Sequence, residues 1–396
     1  MNCLDCCQDL EQYGKEVDSM QQFNYDISEI KKKLQNEKIH YNGMNLLSNT
    51  DCDILQSIGA RGCGKTTWWV SWFICDFIEN GKQFTHLVRY KDDLKEKDIF
   101  FLDVQGLLFN DFEFKIEGNK GFIRLKKKKQ KKDEGWKWMC LFISISKAKT
   151  MKITNYPNMH NILFDEFQLD TTDKRLNRYI NGEIKYFGSI IQSLKRTRPG
   201  VVIMLSNALS ITNPYFTKWN ICPIDKKIVK KKIKSVVRGK VREGRIACES
   251  VDASAYLDIA VESQAAKISM MCGLSDSDIE NQYINDNDNF LRKDKPKNAK
   301  FIFTIKINGK YIGLWHCYDH ETSMMFIYAC KQYNGQSRRY CFKKADMDEI
   351  SILAKSTREY NDLASMKKYV NANRCYFQNQ FIKGEMFEVF SILNIY

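Results

Sequence analysis

The sequence predicts an α/β chain built on parallel strands, followed by a smaller α+β domain. Three stretches carry that expectation. Gly59-Ala60-Arg61-Gly62-Cys63-Gly64-Lys65-Thr66 fits G-x-x-x-x-G-K-[ST] without a gap, between an apolar strand end and a helical run. Asn161-Ile162-Leu163-Phe164-Asp165-Glu166-Phe167 is an apolar strand closing on two acids. Val201 to Leu205 is a continuous apolar run suited to a central parallel strand, and it ends in Ser206-Asn207. Together they describe a P-loop NTPase of the additional-strand, catalytic-glutamate type.

The bulk numbers allow this. A chain of 396 residues is long enough for two or three domains, and 43% apolar residues can fill their cores. The net charge of +14 favours a polyanionic partner. The 14 cysteines are scattered without paired zinc spacing, the pattern of free thiols in a reducing cytoplasm. The N-terminus lacks the apolar run of a signal peptide, and no stretch reaches the ~18 apolar residues a membrane span needs.

Residues 1–45 are polar and helix-favouring, with Ile27, Ile30 and Leu34 on one helical face, and read as a solvated extension. The α/β block covers 46–224. Ile54 and Leu55 end a strand, and Trp68 to Ile74 form a buried helix after the glycine loop. Thr85 to Lys91 is a strand ending in basic residues, and Gly106 to Leu125 is a hairpin region turning at Gly118-Asn119-Lys120-Gly121. Lys126 to Lys132 is a lysine loop broken only by Gln130. Glu183 to Leu194 is a helix that leads into Lys195-Arg196-Thr197-Arg198. Residues 225–295, dense in Lys and Arg at first, read as a basic lid and linker. From 296 to 396 the pattern turns to period two, with Asn308-Gly309 as a hairpin turn before a helical end. His316, Asp319, His320 and Glu321 cluster there, where a strand meets a turn, and a strand end outweighs a metal site.

The chemistry follows from residue types. Gly59 to Thr67, with Ala60, Arg61, Gly62, Cys63 and Gly64 inside it, forms a nest whose N–H groups point at phosphate oxygens. The helix N-terminus behind it adds partial positive charge. Lys65 reaches the β- and γ-phosphates, and Thr66 ligates Mg²⁺. Asp165 holds the same Mg²⁺, and Glu166 polarises the attacking water. Asn207 is either a γ-phosphate sensor or a turn residue. Arg196 and Arg198 are placed for an arginine finger acting on a neighbouring subunit, or for a surface salt bridge.

The chain resembles the DNA-packaging (encapsidation) ATPases of small podophages with protein-primed genomes. The resemblance is carried by Ile58 to Lys65, Val88-Arg89-Tyr90-Lys91, Tyr156-Pro157-Asn158, Ile162 to Phe167, Leu205 to Ala208 and Asn213-Pro214-Tyr215-Phe216. Weaker echoes follow at Glu280 to Tyr283, Lys300 to Phe303 and Gly313 to Trp315. It implies a homopentameric ring motor using ATP and Mg²⁺, in the host cytoplasm and docked on the portal of a prohead, driving double-stranded DNA inward. It also implies that Lys91 acts on the neighbour's nucleotide and that the Arg196/Arg198 region supplies the finger. By the same resemblance the terminal domain would be a vestigial RNase-H-like nuclease that binds nucleic acid without cutting it, and Phe301 to Trp315, with no acid at a strand centre, agrees with lost cleavage. Some members dock through a structural packaging RNA. Two other readings share the residues: a helicase-like or conjugative translocase of the same branch, and a non-hydrolysing nucleic-acid-binding scaffold.

Overall fold

The computed structural model describes residues 23, 25–126, 135–147, 156, 158–169, 179–180, 182–207, 213–219, 221, 223, 227–272, 290–320, 322–372, 374–393 and 395. The chain divides into two compact units. One joins Met1–Leu209 to Pro223–Gln282, and the other joins Ser210–Cys222 to Tyr283–Tyr396.

The first unit is built on a nine-stranded sheet. Its strands are β1 (Ile54–Gly59), β2 (Gln83–Val88), β3 (Phe112–Glu117), β4 (Lys120–Leu125), β5 (Lys137–Ser144), β6 (Met159–Phe164), β7 (Val202–Asn207), β8 (Ile228–Val237) and β9 (Lys240–Ser250), in the order β3-β4-β5-β2-β6-β7-β1-β9-β8. From β5 to β9 all neighbours are parallel. These inner strands are the near-continuous apolar runs expected of a sheet covered on both faces. β7 stands between β1 and β6, as the additional-strand class requires.

The helices are α1 (Ser28–Gln35), α2 (Met44–Leu47), α3 (Lys65–Asn80), α4 (Leu102–Leu107) and α5 (Glu183–Lys195). α3 begins after Gly64 and ends at Gly81, both left-handed, and the Gly81 N–H closes on the Phe77 carbonyl at 2.8 Å. It is apolar nearly all round because one face meets the sheet and the other meets α1: Trp69 and Phe73 are fully buried, and the Trp68 indole donates to the Leu34 carbonyl at 3.1 Å. The expectation of a solvated extension over 1–45 is therefore corrected from Tyr25 onward. Ile27, Ile30 and Leu34 sit in the main core, since the stripe they form is the one available to cover α3.

The basic lid expected over 225–295 is likewise corrected in its first half. β8 and β9 form a hairpin, and β9 extends the main sheet beside β1 because Ile246, Ala247 and Cys248 are a buried apolar run. The lysines fall on β8, the edge strand, where charge also blocks strand-to-strand association. Helix α6 (Pro214–Trp219) precedes β8 in the chain, and α7 (Ser254–Ala260) and α8 (Gln264–Met271) follow β9. The segment Asn213 to Phe216 falls in the second unit, not in the 46–224 block. Lys127 to Lys132 and Glu280 to Tyr283 lie outside the described residues.

The second unit holds strands β10 (Lys300–Ile307), β11 (Lys310–Asp319), β12 (Met324–Cys330), β13 (Arg339–Cys341), β14 (Ser351–Leu353) and β15 (Cys375–Phe377), with helices α9 (Asn361–Asn371) and α10 (Gln380–Ile392). The order is β14-β13-β10-β11-β12-β15. β10, β11 and β12 form an antiparallel meander through Asn308-Gly309, both left-handed, while β13 and β14 run parallel to β10. A meander with two parallel strands beside its first member is the sheet expected of an RNase-H-like domain. Asp319 pairs with Arg292 at 3.1 Å, and no three His, Cys, Asp or Glu side chains among the described residues converge on a metal position. Glu321 is outside the described residues. Among the described residues no helix is long and apolar enough to cross a membrane.

Candidate active site

The site forms at the carboxyl ends of β1, β7, β6 and β2. After β1 the chain turns through Gly62 and Gly64, whose φ angles of 76° and 93° only glycine adopts at little cost. That turn aims the Lys65 side chain back into the loop. Its amine, buried, donates to the carbonyls of Gly59 at 3.1 Å and Ala60 at 2.7 Å, and burial pulls its pKa down. Arg61 is exposed on the outside of the loop.

β7 supplies the spacing. Gly59 is in register with Asn207, and Phe164 of β6 with Met204. Asp165, one residue past β6, thus arrives beside the start of α3. The Thr66 hydroxyl donates to Asp165 Oδ2 at 3.0 Å. Burial, and then the neighbouring Glu166, push the Asp165 carboxyl up to about 6. A hydroxyl and a half-desolvated carboxylate facing one point, next to a glycine nest and a buried lysine, fit a triphosphate with Mg²⁺. Those four features need each other: each is costly alone, and a bound metal and polyanion would offset the cost.

Glu166 is exposed and has φ 53°, a strained value for a non-glycine residue. Arg89, at the end of β2, holds it there. The guanidinium is 3% exposed, and it donates to the Glu166 carbonyl at 3.0 Å and the Phe167 carbonyl at 2.7 Å. Its Nε lies 3.1 and 2.9 Å from the two oxygens of Glu183, the first residue of α5. Arg89 and Glu183 escaped the reading of single motifs, because their partners are far along the chain. The arginine inside the basic strand end Val88-Arg89-Tyr90-Lys91 was the one available signal.

The other expected residues separate. Lys91 is exposed just before the 3₁₀ turn Asp92–Leu94. Arg198 is turned inward: it donates to the carbonyls of Met159 at 3.1 Å, Tyr156 at 2.7 Å and Leu194. Arg196 is exposed, with φ 50° as it terminates α5. Thr67 follows Thr66 in the first turn of α3.

The family model for the Podovirus DNA encapsidation protein (Gp16) matches residues 35–395. The DNA packaging protein of Bacillus phage phi29 is 27% identical over 363 residues, 91% of this chain and 99% of that protein. The DNA packaging protein of Bacillus phage B103 is also 27% identical, over 85% of this chain and 96% of that one. Among solved structures, a chain of the bacteriophage Phi-29 viral genome packaging motor assembly superposes with a TM-score of 0.65 at 26% identity, covering 90% of this chain and 99% of its own. A match that runs through the P-loop, the acidic strand end and the second unit alike leaves one assignment: the chain belongs to the Podovirus DNA encapsidation protein (Gp16) family.

Proposed function

We propose that this chain is the ATP-hydrolysing subunit of a homopentameric ring that drives double-stranded viral DNA into a prohead, docked at the portal in the host cytoplasm. The observation that carries it is the meeting of Thr66 and Asp165 across β7, with Glu166 beside them, in a chain that follows the phi29 motor subunit through nearly its whole length. Bound Mg²⁺ would neutralise charge on the transferring phosphoryl group. The Gly59 to Thr67 nest and Lys65 position the phosphates. Asp165 and Thr66 hold the metal. Glu166, fixed by Arg89, orients and polarises water in line with the γ-phosphate.

Arg196 is the finger toward the neighbouring subunit, and Lys91 acts on the same neighbouring nucleotide. Arg198 stays home, since leaving would orphan three backbone carbonyls. DNA is gripped through phosphates by the Lys126 to Lys132 loop and the Lys226 to Lys234 run, so translocation weakens as salt rises. The second unit binds nucleic acid without cutting it. Thr304 occupies the middle of β10, and Lys306, near its end, is tied to Asp348 at 2.7 Å. A portal protein, and a structural packaging RNA where the phage makes one, complete the partners.

Purified prohead, DNA and ATP test this directly. Native protein should package DNA, with ATP hydrolysis stimulated by proheads. Glu166→Gln should still bind ATP and lose turnover by about a hundredfold or more. Undiminished hydrolysis in that variant removes Glu166 from the mechanism. Strong stimulation by free single strands and none by proheads favours a helicase-like translocase instead.

A further inference from the structure

The P-loop accounts for the phosphates of a nucleotide and leaves its sugar and base to whatever borders the loop. Two segments from opposite ends of the first unit do so. On one side, the Tyr41 N–H donates to the Cys63 carbonyl at 2.8 Å and pins residues 37–41 along the loop. A Cβ at Gly64 would stand 3.4 Å from the Cβ of His40. On the other side, the Val251 N–H donates to the Ile58 carbonyl at 2.7 Å, and α7 follows three residues on. A Cβ at Gly62 would stand 2.6 Å from the hydroxyl of Tyr256. The two rings meet beside the loop, with centroids 5.8 Å apart and planes tilted by 45°. The His40 side chain is 54% exposed, and Tyr256 is partly buried where it packs against the edge of the apolar cluster.

We propose that His40 and Tyr256 form the base-recognition corner of this nucleotide site, taking a purine against their ring faces. The inference rests on the reading of Gly59 to Thr67 as an ATP site. Three features favour a base over a purely structural role. The two rings come from chain segments more than 200 residues apart, yet both abut loop glycines. His40 is open to solvent and Tyr256 keeps part of its surface exposed. And a base carries a π-face that rings recognise independently of the phosphate contacts. Stacking of this kind is worth enough to change affinity about tenfold per ring. A purine offers more surface than a pyrimidine, so the corner sets a preference for ATP over CTP.

The test uses the full-length chain. Calorimetry with Mg²⁺ measures binding of ATP, CTP and inorganic tripolyphosphate to native protein and to Tyr256→Ala, Tyr256→Phe and His40→Ala. Tyr256→Ala should weaken ATP about tenfold, leave tripolyphosphate unchanged and narrow the ATP/CTP ratio. Tyr256→Phe should keep ATP affinity. Equal loss of ATP and tripolyphosphate in Tyr256→Ala would mean that the ring only props the loop, and overturns the proposal. So does unchanged ATP affinity. Photolysis of native protein with 8-azido-ATP gives a readout that needs no variant to fold: label on the peptides of His40 or Tyr256 supports the corner, and label elsewhere sinks it. Native protein that binds tripolyphosphate as tightly as ATP refutes the corner alone. Native protein that binds neither refutes the ATP site as well.

Discussion

His86 lies in the middle of β2 with its ring 4.3 Å from that of Phe100 and 5.7 Å from that of Phe142. Neither ring nitrogen has a hydrogen-bond partner, and burial pulls its pKa from 6.5 down to about 3. The unfolded chain takes up a proton near pH 6.5 and the folded chain only near 3. Stability is therefore complete above pH 6.5 and drains as pH falls toward 3. His86→Leu should remove that drain and gain about 2 kcal/mol at pH 5 relative to its effect at pH 8. Urea melts at the two pH values measure it; an equal effect at both would acquit His86. Such a residue shows why individual side chains were only partly legible. Lys65, Thr66, Asp165 and Glu166 announce themselves because each sits in a short pattern whose neighbours explain it. Arg89 does not, because its meaning depends on Glu183 and on two carbonyls that reach it only after β2, β6 and α5 have assembled.

At the scale of elements, β1, α3, β6 and β7 were readable from runs of apolar residues and from the glycines that stop them. What was misread was allegiance. Residues 27–34 and the β8–β9 hairpin look polar or basic in sequence, yet each donates one narrow apolar stripe to the core. The joint between them is a buried knot. The Tyr41 hydroxyl donates to Glu249 of β9 at 3.0 Å and accepts from the Trp69 indole of α3 at 3.1 Å, and the Ser57 hydroxyl of β1 lies 3.4 Å from the same carboxylate. Burial pushes Glu249 up to about 7 from 4.5, so the folded state holds its proton more tightly than the unfolded one. This contribution is present in full below pH 4.5, is lost between 4.5 and 7, and stays lost above. Glu249→Gln keeps an acceptor for Tyr41 and cannot ionise. It should raise stability at pH 8 by roughly 3 kcal/mol and leave it unchanged at pH 4. Thermal melts that rise equally at both pH values would show that charge is not the cause.

At the scale of the whole molecule, one chain brings Lys65, Thr66, Asp165 and Glu166 together at the carboxyl ends of β1 and β6, while the cations Lys91 and Arg196 stand exposed on other segments. Arg196 ends α5 with a strained positive φ of 50° and is exposed to solvent. Arg198, two residues later, is spent on carbonyls of its own chain. In the ring proposed above, each subunit would present its Arg196 to the next nucleotide and receive one from the subunit behind. The two arginines then separate by experiment. Arg196→Ala should fold normally, bind ATP normally and hydrolyse it about a thousandfold more slowly in the assembled motor. Added to native subunits, it should depress ring ATPase more steeply than its fraction, because one silent finger stalls a neighbour that is otherwise intact. Arg198→Ala should instead lower the melting temperature, since it strips a partner from half-buried carbonyls, and should titrate into mixed rings in proportion to its share. Linear loss with Arg196→Ala, or steep loss with Arg198→Ala, would reverse the assignment and place the shared site on the other arginine.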